Sequence, residues 1–337
     1  MNNISKKGAY PLLSVEGLSV DYGLKGVALP AIQDVSFELR AGEAVALVGE
    51  SGSGKTTTAM AIAGLLSPNA RVSGGQVRYR GARLPIDDDA AMRPHRWSET
   101  SVIFQGAMNA LNPVHRIVKQ IAEPCMLKLG MSRDQATARA RELLELVGIP
   151  ADRGASYPHQ LSGGMRQRVM IAMALACRPS IVIGDEPTTA LDVINQAQIL
   201  RLLVELRSNL KLALMLITHD LSVVSESCDR VMIMYAGRIV EDGTVADIFA
   251  APKHPYTRLL IESIPNPEKG KRVLRPIPGD PPNLVKRPSG CAFHPRCPLA
   301  MPACTTELPE LEGCGQGHVA CHLHSASMPA QQVEAHA

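Results

Sequence analysis

Between residues 11 and 48 the chain carries three apolar runs, LLSVEGLSVDY, IQDVSFELR and EAVALVG, set apart by glycine and proline. Their aliphatic and β-branched content and short length predict strands. Residues 55–66 (KTTTAMAIAGLL) have the make-up of a helix that ends near Ser67-Pro68. Ser132 with Gln135 predicts a capping box for a helix running to Val147, with Gly148 at its end and Pro150 beyond. Three later runs, IVIGDE (181–186), LALMLITHD (212–220) and RVMIMYAG (230–237), predict strands, with a helix-compatible stretch over about 193–209. Strands alternating with helices predict an α/β fold around a parallel, mostly buried sheet.

That pattern lapses after residue 250, where the remaining 87 residues hold 14 of the 25 prolines. The tail reads as either a poorly ordered extension or a small loop-rich module held together by something other than a core. At 337 residues the chain has room for one large core plus such a module, or for two domains. Aromatic residues are only 3% of it, so the core must be mostly aliphatic. A net charge of +3 gives no ground for a nucleic-acid partner. The start, MNNISKKGAYPLL, lacks the apolar stretch of a secretory signal, and no run approaches a membrane span. These features predict a cytosolic chain, in which thiols stay reduced.

The chemistry concentrates in two places. GESGSGKTT (49–57) fits G-x-x-x-x-G-K-[ST] and lies between a predicted strand and a predicted helix. Gly49, Gly52 and Gly54 let backbone N–H groups curl around phosphate oxygens, with Ser51, Ser53 and Thr57 completing the loop. The helix N-terminus adds partial positive charge and Lys55 a full one, while Thr56 would ligate Mg²⁺. The second place is IVIGDEPTTALD (181–192), where an apolar strand ends in Asp185 beside Glu186. Adjacent carboxylates push their pKa values apart, so Asp185 can hold metal while Glu186 takes a proton from attacking water.

LSGGMRQR (161–168) resembles the signature motif of ATP-binding cassette (ABC) ATPases. The resemblance extends to Gln105 in VIFQGAMNALNP, Asp192 in TALD and His219 in LITHD, in the family's order, and to Tyr22 upstream, where the family stacks an aromatic on adenine. It implies a P-loop NTPase fold over residues 1–250, a mixed RecA-like sheet with a helical subdomain at about 106–178. It implies Gln105, Glu186 and His219 as catalytic residues, with Thr56, Asp185 and Gln105 around Mg²⁺. It also implies that Ser162, Gly163, Gly164 and Asp192 face ATP held by a partner cassette. KHPYTRLL (253–260), IPGDPPN (277–283) and GCAFHPRCP (290–298) are similar to the tails of ATPase subunits from bacterial dipeptide and oligopeptide importers, and of nickel importers in the same group. The expected partners are then two transmembrane permeases, a second cassette that family precedent makes a paralogue and the sequence leaves open to be a second copy, and an extracytoplasmic substrate-binding protein. The expected place is the cytoplasmic face of the inner membrane. The rival class is a soluble ABC ATPase acting on nucleic acid or the ribosome. Such proteins carry paired cassettes, a coiled-coil insertion or C-x-x-C spacing, and the sequence has none of these.

Five of the eight cysteines fall between Cys291 and Cys321. Cys291, Cys297, Cys304 and Cys321 form no C-x-x-C pair, so spacing alone leaves a metal and scattered free thiols both open. A coreless tail would gain folding energy from a cross-link. The resemblance implies a [4Fe–4S] cluster on these four cysteines, in a module at about 288–323 of the 251–337 extension, with tetrahedral zinc as the alternative. Cys314 stays outside the set, and Cys125, Cys177 and Cys228 read as packing residues.

Overall fold

The computed structural model describes residues 11–24, 26–106, 110–263 and 277–325. The N-terminal segment before residue 11, residues 107–109 of the Gln105 segment, and 264–276 and 326–337 of the expected extension lie outside them. In chain order the strands are β1 (Leu13–Leu24), β2 (Val27–Leu39), β3 (Ala44–Val48), β4 (Ala70–Tyr79), β5 (Ala82–Arg83), β6 (Thr100–Ile103), β7 (Ile181–Asp185), β8 (Ala213–Thr218), β9 (Arg230–Tyr235), β10 (Arg238–Thr244), β11 (Glu312–Cys314) and β12 (Gly317–Val319).

The strands form two sheets. One is antiparallel, in the order β2-β1-β4-β5. The other runs β11-β12-β10-β9-β3-β8-β7-β6, with β9, β3, β8, β7 and β6 parallel and β10, β12 and β11 added antiparallel. Every residue of β3, β7 and β8 is buried, which is why these segments read as unbroken apolar runs. Helices Ile117–Leu129, Arg133–Leu146, Gly163–Ala174 and Val193–Leu210 supply one core cluster around Ile121, Leu143, Ile171 and Leu202. The antiparallel sheet and helix Lys55–Ile62 supply a second, around Leu18, Leu47 and Ile62. The capping box stands as expected: the Ser132 hydroxyl accepts from Gln135 N at 3.3 Å, and the Gln135 side chain accepts from Ser132 N at 2.9 Å.

Three expectations are corrected. The first helix stops at Ile62, short of 66, because the chain turns at Gly64, whose φ of 62° is left-handed. Strands β4, β5, β6 and β10 were not foreseen; β4 is half-exposed and broken by Gly74-Gly75. The tail is not coreless. Tyr256 is fully buried and Phe293 is 1% exposed, and both join Tyr235 of β9 in a third core cluster. Ring centroids stand 4.6 Å apart for Tyr235–Tyr256 and 5.2 Å for Tyr235–Phe293. Buried Glu241 of β10 also accepts from the N–H groups of Lys253 and His254 at 2.7 and 3.0 Å, tying helix Pro255–Glu262 to the sheet. The tail's own hairpin, β11–β12, extends that sheet beyond β10.

Candidate nucleotide site

Loop Gly49–Gly54 joins the C-terminal end of β3 to helix Lys55–Ile62. Its glycines are there for steric reasons. A Cβ on Gly49 would come within 2.1 Å of the Met234 carbonyl oxygen, and one on Gly54, at φ 106°, within 2.6 Å of Ile32. No side chain caps the helix, so its first N–H groups are left for a ligand. Lys55 lies across the loop, its Nζ donating to the carbonyls of Gly49 at 2.8 Å and Glu50 at 2.9 Å. Burial pushes the Lys55 amine down, while Glu186, Asp185 and Glu50 push it back up.

The carboxylates meet the loop from β7. Thr56 Oγ1 donates to Asp185 Oδ1 at 3.0 Å, placing the two expected Mg²⁺ ligands side by side. Burial raises the Asp185 carboxyl, against the hydrogen bond from Thr56. Glu186 just beyond β7 has a left-handed backbone, φ 45°, which costs a residue with a side chain roughly 1–2 kcal/mol and is a strain that gathers at working sites. Its Oε2 accepts from Gln105 Nε2 at 2.7 Å and from Thr189 Oγ1 at 2.9 Å; its Oε1 is 3.0 Å from His219 Nδ1. Burial pushes the Glu186 carboxyl up, but hydrogen bonds from His219 and Thr189 outweigh it and hold the group below the ordinary glutamate range.

These groups surround a cavity of about 710 Å³, lined by Ser51, Gly52, Gly54, Lys55, Thr56, Thr57, Gln105, Glu186 and His219. Tyr22 lines it too, its hydroxyl 3.3 Å from Thr57 Oγ1. Gly49, Ser53 and Asp185 stand behind this lining. Ser162, Gly163, Gly164 and Asp192 are not among the residues that line the cavity; they stand at the starts of two helices. Ser162 Oγ accepts from Met165 N at 3.3 Å to cap helix Gly163–Ala174, and Asp192 accepts from Asn195 N at 2.9 Å to cap helix Val193–Leu210. A Cβ on Gly164 would lie 2.6 Å from Asn195 Oδ1, so the two helix starts touch. Sequence reasoning missed Leu29, Ala31 and Leu284 in the cavity wall and Thr189 beside Glu186. Thr189 was findable from its place three residues after Glu186; Leu284, in a proline-rich tail, carries no signal.

Cys291, Cys297, Cys304 and Cys321 line one small cavity with His254, Phe293 and His322. The backbone draws them together, Cys291 N donating to Cys304 O at 2.9 Å. Burial pushes the Cys291 thiol up to about 11 and that of Cys321 up to about 12. Among the described residues, no group of three or more His, Cys, Asp or Glu is placed to hold a metal ion. Cys125 and Cys177 are buried in the first core cluster and Cys228 is half-buried. Among the described residues, no helix is long and apolar enough to cross a membrane.

Residues 32–189 match the family model described as ABC transporter, and residues 240–304 that described as oligopeptide/dipeptide transporter, C-terminal region. The chain is 45% identical over 313 residues to the dipeptide transport ATP-binding protein DppD of Haemophilus influenzae, covering 92% of this chain and 95% of that one. It is 44% identical to the oligopeptide transport ATP-binding protein OppD of Escherichia coli, covering 91% of each. In structure it is similar to the dimeric ATP-binding cassette MJ0796 bound to ADP and Pi, with TM-score 0.62 and 27% identity over 69% of this chain and 98% of that one. It is likewise similar to CbiO1 of Clostridium perfringens, with TM-score 0.63 and 27% identity over 72% of this chain and 91% of that one.

Proposed function

We propose that this chain, which belongs to the ABC transporter ATP-binding family and within it to the dipeptide and oligopeptide transport ATP-binding proteins, hydrolyses ATP to drive import of short peptides through membrane permeases. The observation that carries this is continuity: one alignment to peptide-transport ATPases spans both the cassette and the tail, at 45% identity over 92% of the chain. The division of the chain into a cassette (1–250, helical part at about 106–178) and an extension (251–337) is part of the same reading.

Lys55 and the loop N–H groups hold the phosphates, and Tyr22, on the cavity wall beside Thr57, takes the adenine. Thr56 and Asp185, side by side, would hold Mg²⁺ together with Gln105, and the ion would orient the attacking water. Glu186 sits among three hydrogen-bonding partners, ionised, and so is poised to orient and deprotonate that water. His219, bound to the same carboxylate, contacts the γ-phosphate. Ser162–Gly164 and Asp192, which lie outside the cavity, serve the ATP of an opposing cassette; a paralogue fills that place. Two permeases and an extracytoplasmic binding protein complete the system, with this chain peripheral on the cytoplasmic face of the inner membrane.

The four converging thiols are the support for a [4Fe–4S] cluster on Cys291, Cys297, Cys304 and Cys321. Four thiolates fit such a cluster or tetrahedral zinc equally, and among the described residues no three metal-ligating groups are gathered at one ion. A cluster there would add a cross-link beside the aromatic core that Tyr256 and Phe293 already give the tail. The import reading is tested by coexpressing the chain with its permeases, its partner cassette and its binding protein in cells lacking peptide uptake. Labelled dipeptide should accumulate, and Lys55→Ala should abolish accumulation; uptake of a nickel chelate without peptide uptake would overturn the substrate assignment.

A further inference from the structure

The phosphate loop is gripped from outside by the tail. Glu50, the residue after Gly49, is bound at both carboxylate oxygens by Arg296: Nη1 to Oε2 at 2.7 Å and Nη2 to Oε1 at 2.9 Å. The Arg296 side chain is only 6% exposed and that of Glu50 22%. Arg296 is itself fixed, its Nε donating to Pro278 O at 2.7 Å and its Nη1 to the Tyr235 hydroxyl at 3.2 Å. The guanidinium also lies 5.9 Å from the ring centroids of both Tyr235 and Phe293. The Glu50 backbone is held as well, its N–H donating to the Tyr256 hydroxyl at 2.9 Å. Pro281, Pro282 and Leu284 of the tail share a cleft with Glu50, Ser51 and Gly52, and Leu284 reaches the nucleotide cavity itself.

A glycine-rich anion loop needs such support. Gly52 and Gly54 have φ of 79° and 106°, so much of the loop's conformational freedom must be removed by contacts. Amide donors stabilise an anion most when they are already aimed at it. A glutamate carboxylate at the second position of the loop would also repel the phosphates unless a cation offset it. The bidentate arginine answers both needs, charge and shape.

We propose that Arg296 and Tyr256 are positioning residues of the nucleotide site: by holding the side chain and backbone of Glu50, they fix the phosphate loop in its anion-binding shape, making the tail a working part of the ATPase. This rests on the assignment of Gly49–Thr57 to ATP phosphates. The test uses the purified full-length chain, with ATP, ADP and adenosine titrated into wild type, Arg296→Met, Arg296→Lys and Tyr256→Phe, and with thermal unfolding recorded without nucleotide. Arg296→Met is expected to weaken ATP and ADP binding on the order of 10- to 100-fold, the loss that a misplaced binding group produces, and to leave adenosine binding unchanged. Arg296→Lys, which keeps the charge and loses the fork, falls between. A merely structural arginine would lower the unfolding midpoint while the folded protein bound ATP as tightly as wild type, and that result would overturn the proposal. Should Arg296→Met fail to fold, Tyr256→Phe decides, since it keeps the ring and deletes only the acceptor for Glu50 N–H: a severalfold loss for ATP supports the proposal, and unchanged affinity rejects it. Wild type that bound no ATP would instead reject the nucleotide assignment beneath it.

Discussion

At the scale of single residues, Glu186 is where the site's chemistry is most constrained. Its backbone is left-handed, and its two oxygens are shared among Gln105, Thr189 and His219. Glu186→Gln keeps the shape and loses the base. ATP binding should persist while steady-state hydrolysis falls by about 10²–10⁴-fold, the usual worth of a positioned general base; ordinary turnover in that variant would remove Glu186 from the role. The pH dependence has a definite sign. His219 and Thr189 hold the Glu186 carboxyl below its usual range, so wild-type Glu186 stays ionised as pH falls through that range. His219→Ala deletes one of those hydrogen bonds, so protonation of Glu186 begins at a higher pH. The acid limb of whatever hydrolysis remains should shift upward in a pH–rate profile.

At the scale of elements, the two helix starts outside the cavity are interlocked through Gly164 and Asn195. A methyl group at position 164 must push aside the end of the Asn195 side chain, whose Nδ2 donates to Asp192 Oδ2. Gly164→Ala should therefore leave ATP affinity of the isolated chain within about twofold, because neither element lines the cavity, while lowering hydrolysis at least tenfold in the assembled transporter; filter binding and phosphate release measure the two separately. Legibility also varied by element. The strand before the phosphate loop and those ending in Asp185 and Thr218 could be read because burial on both faces leaves unbroken apolar runs. The capping box at Ser132 could be read because its signal is local. β4 could not, because one face meets solvent and paired glycines break its alternation. The β11–β12 hairpin could not either, since strands of three residues hold no period, and their pairing with β10 is a tertiary event. In the site, every loop glycine, both carboxylates and His219 were visible as motif. Arg296 and Leu284 were not, because their partners lie 246 residues away in one case and in a folded cavity in the other.

At the scale of the whole molecule, the tail joins the phosphate loop to the cavity lined by the four cysteines. Its aromatic residues Tyr256 and Phe293 complete the core cluster beside the phosphate loop, and Phe293 also lines the cavity of the four cysteines. Arg296, which grips Glu50, is the immediate neighbour of Cys297. Loosening the cysteine centre should therefore be felt in two places. Replacing Cys304, which is buried and whose carbonyl accepts from Cys291 N, tests this most directly. With the chain purified anaerobically, wild type is expected to be brown and to contain stoichiometric iron. Cys304→Ser should be colourless and iron-poor, with an unfolding midpoint lower by about 1–2 °C for each 1 kcal/mol of lost cross-linking. Limited proteolysis should then cut the tail of Cys304→Ser before the cassette, because the cassette's larger aliphatic cores do not depend on the thiols. Wild type that is colourless and iron-free would remove the cluster. Equal protease resistance in the two proteins would show that the aromatic core and the β11–β12 pairing hold the tail without any cross-link.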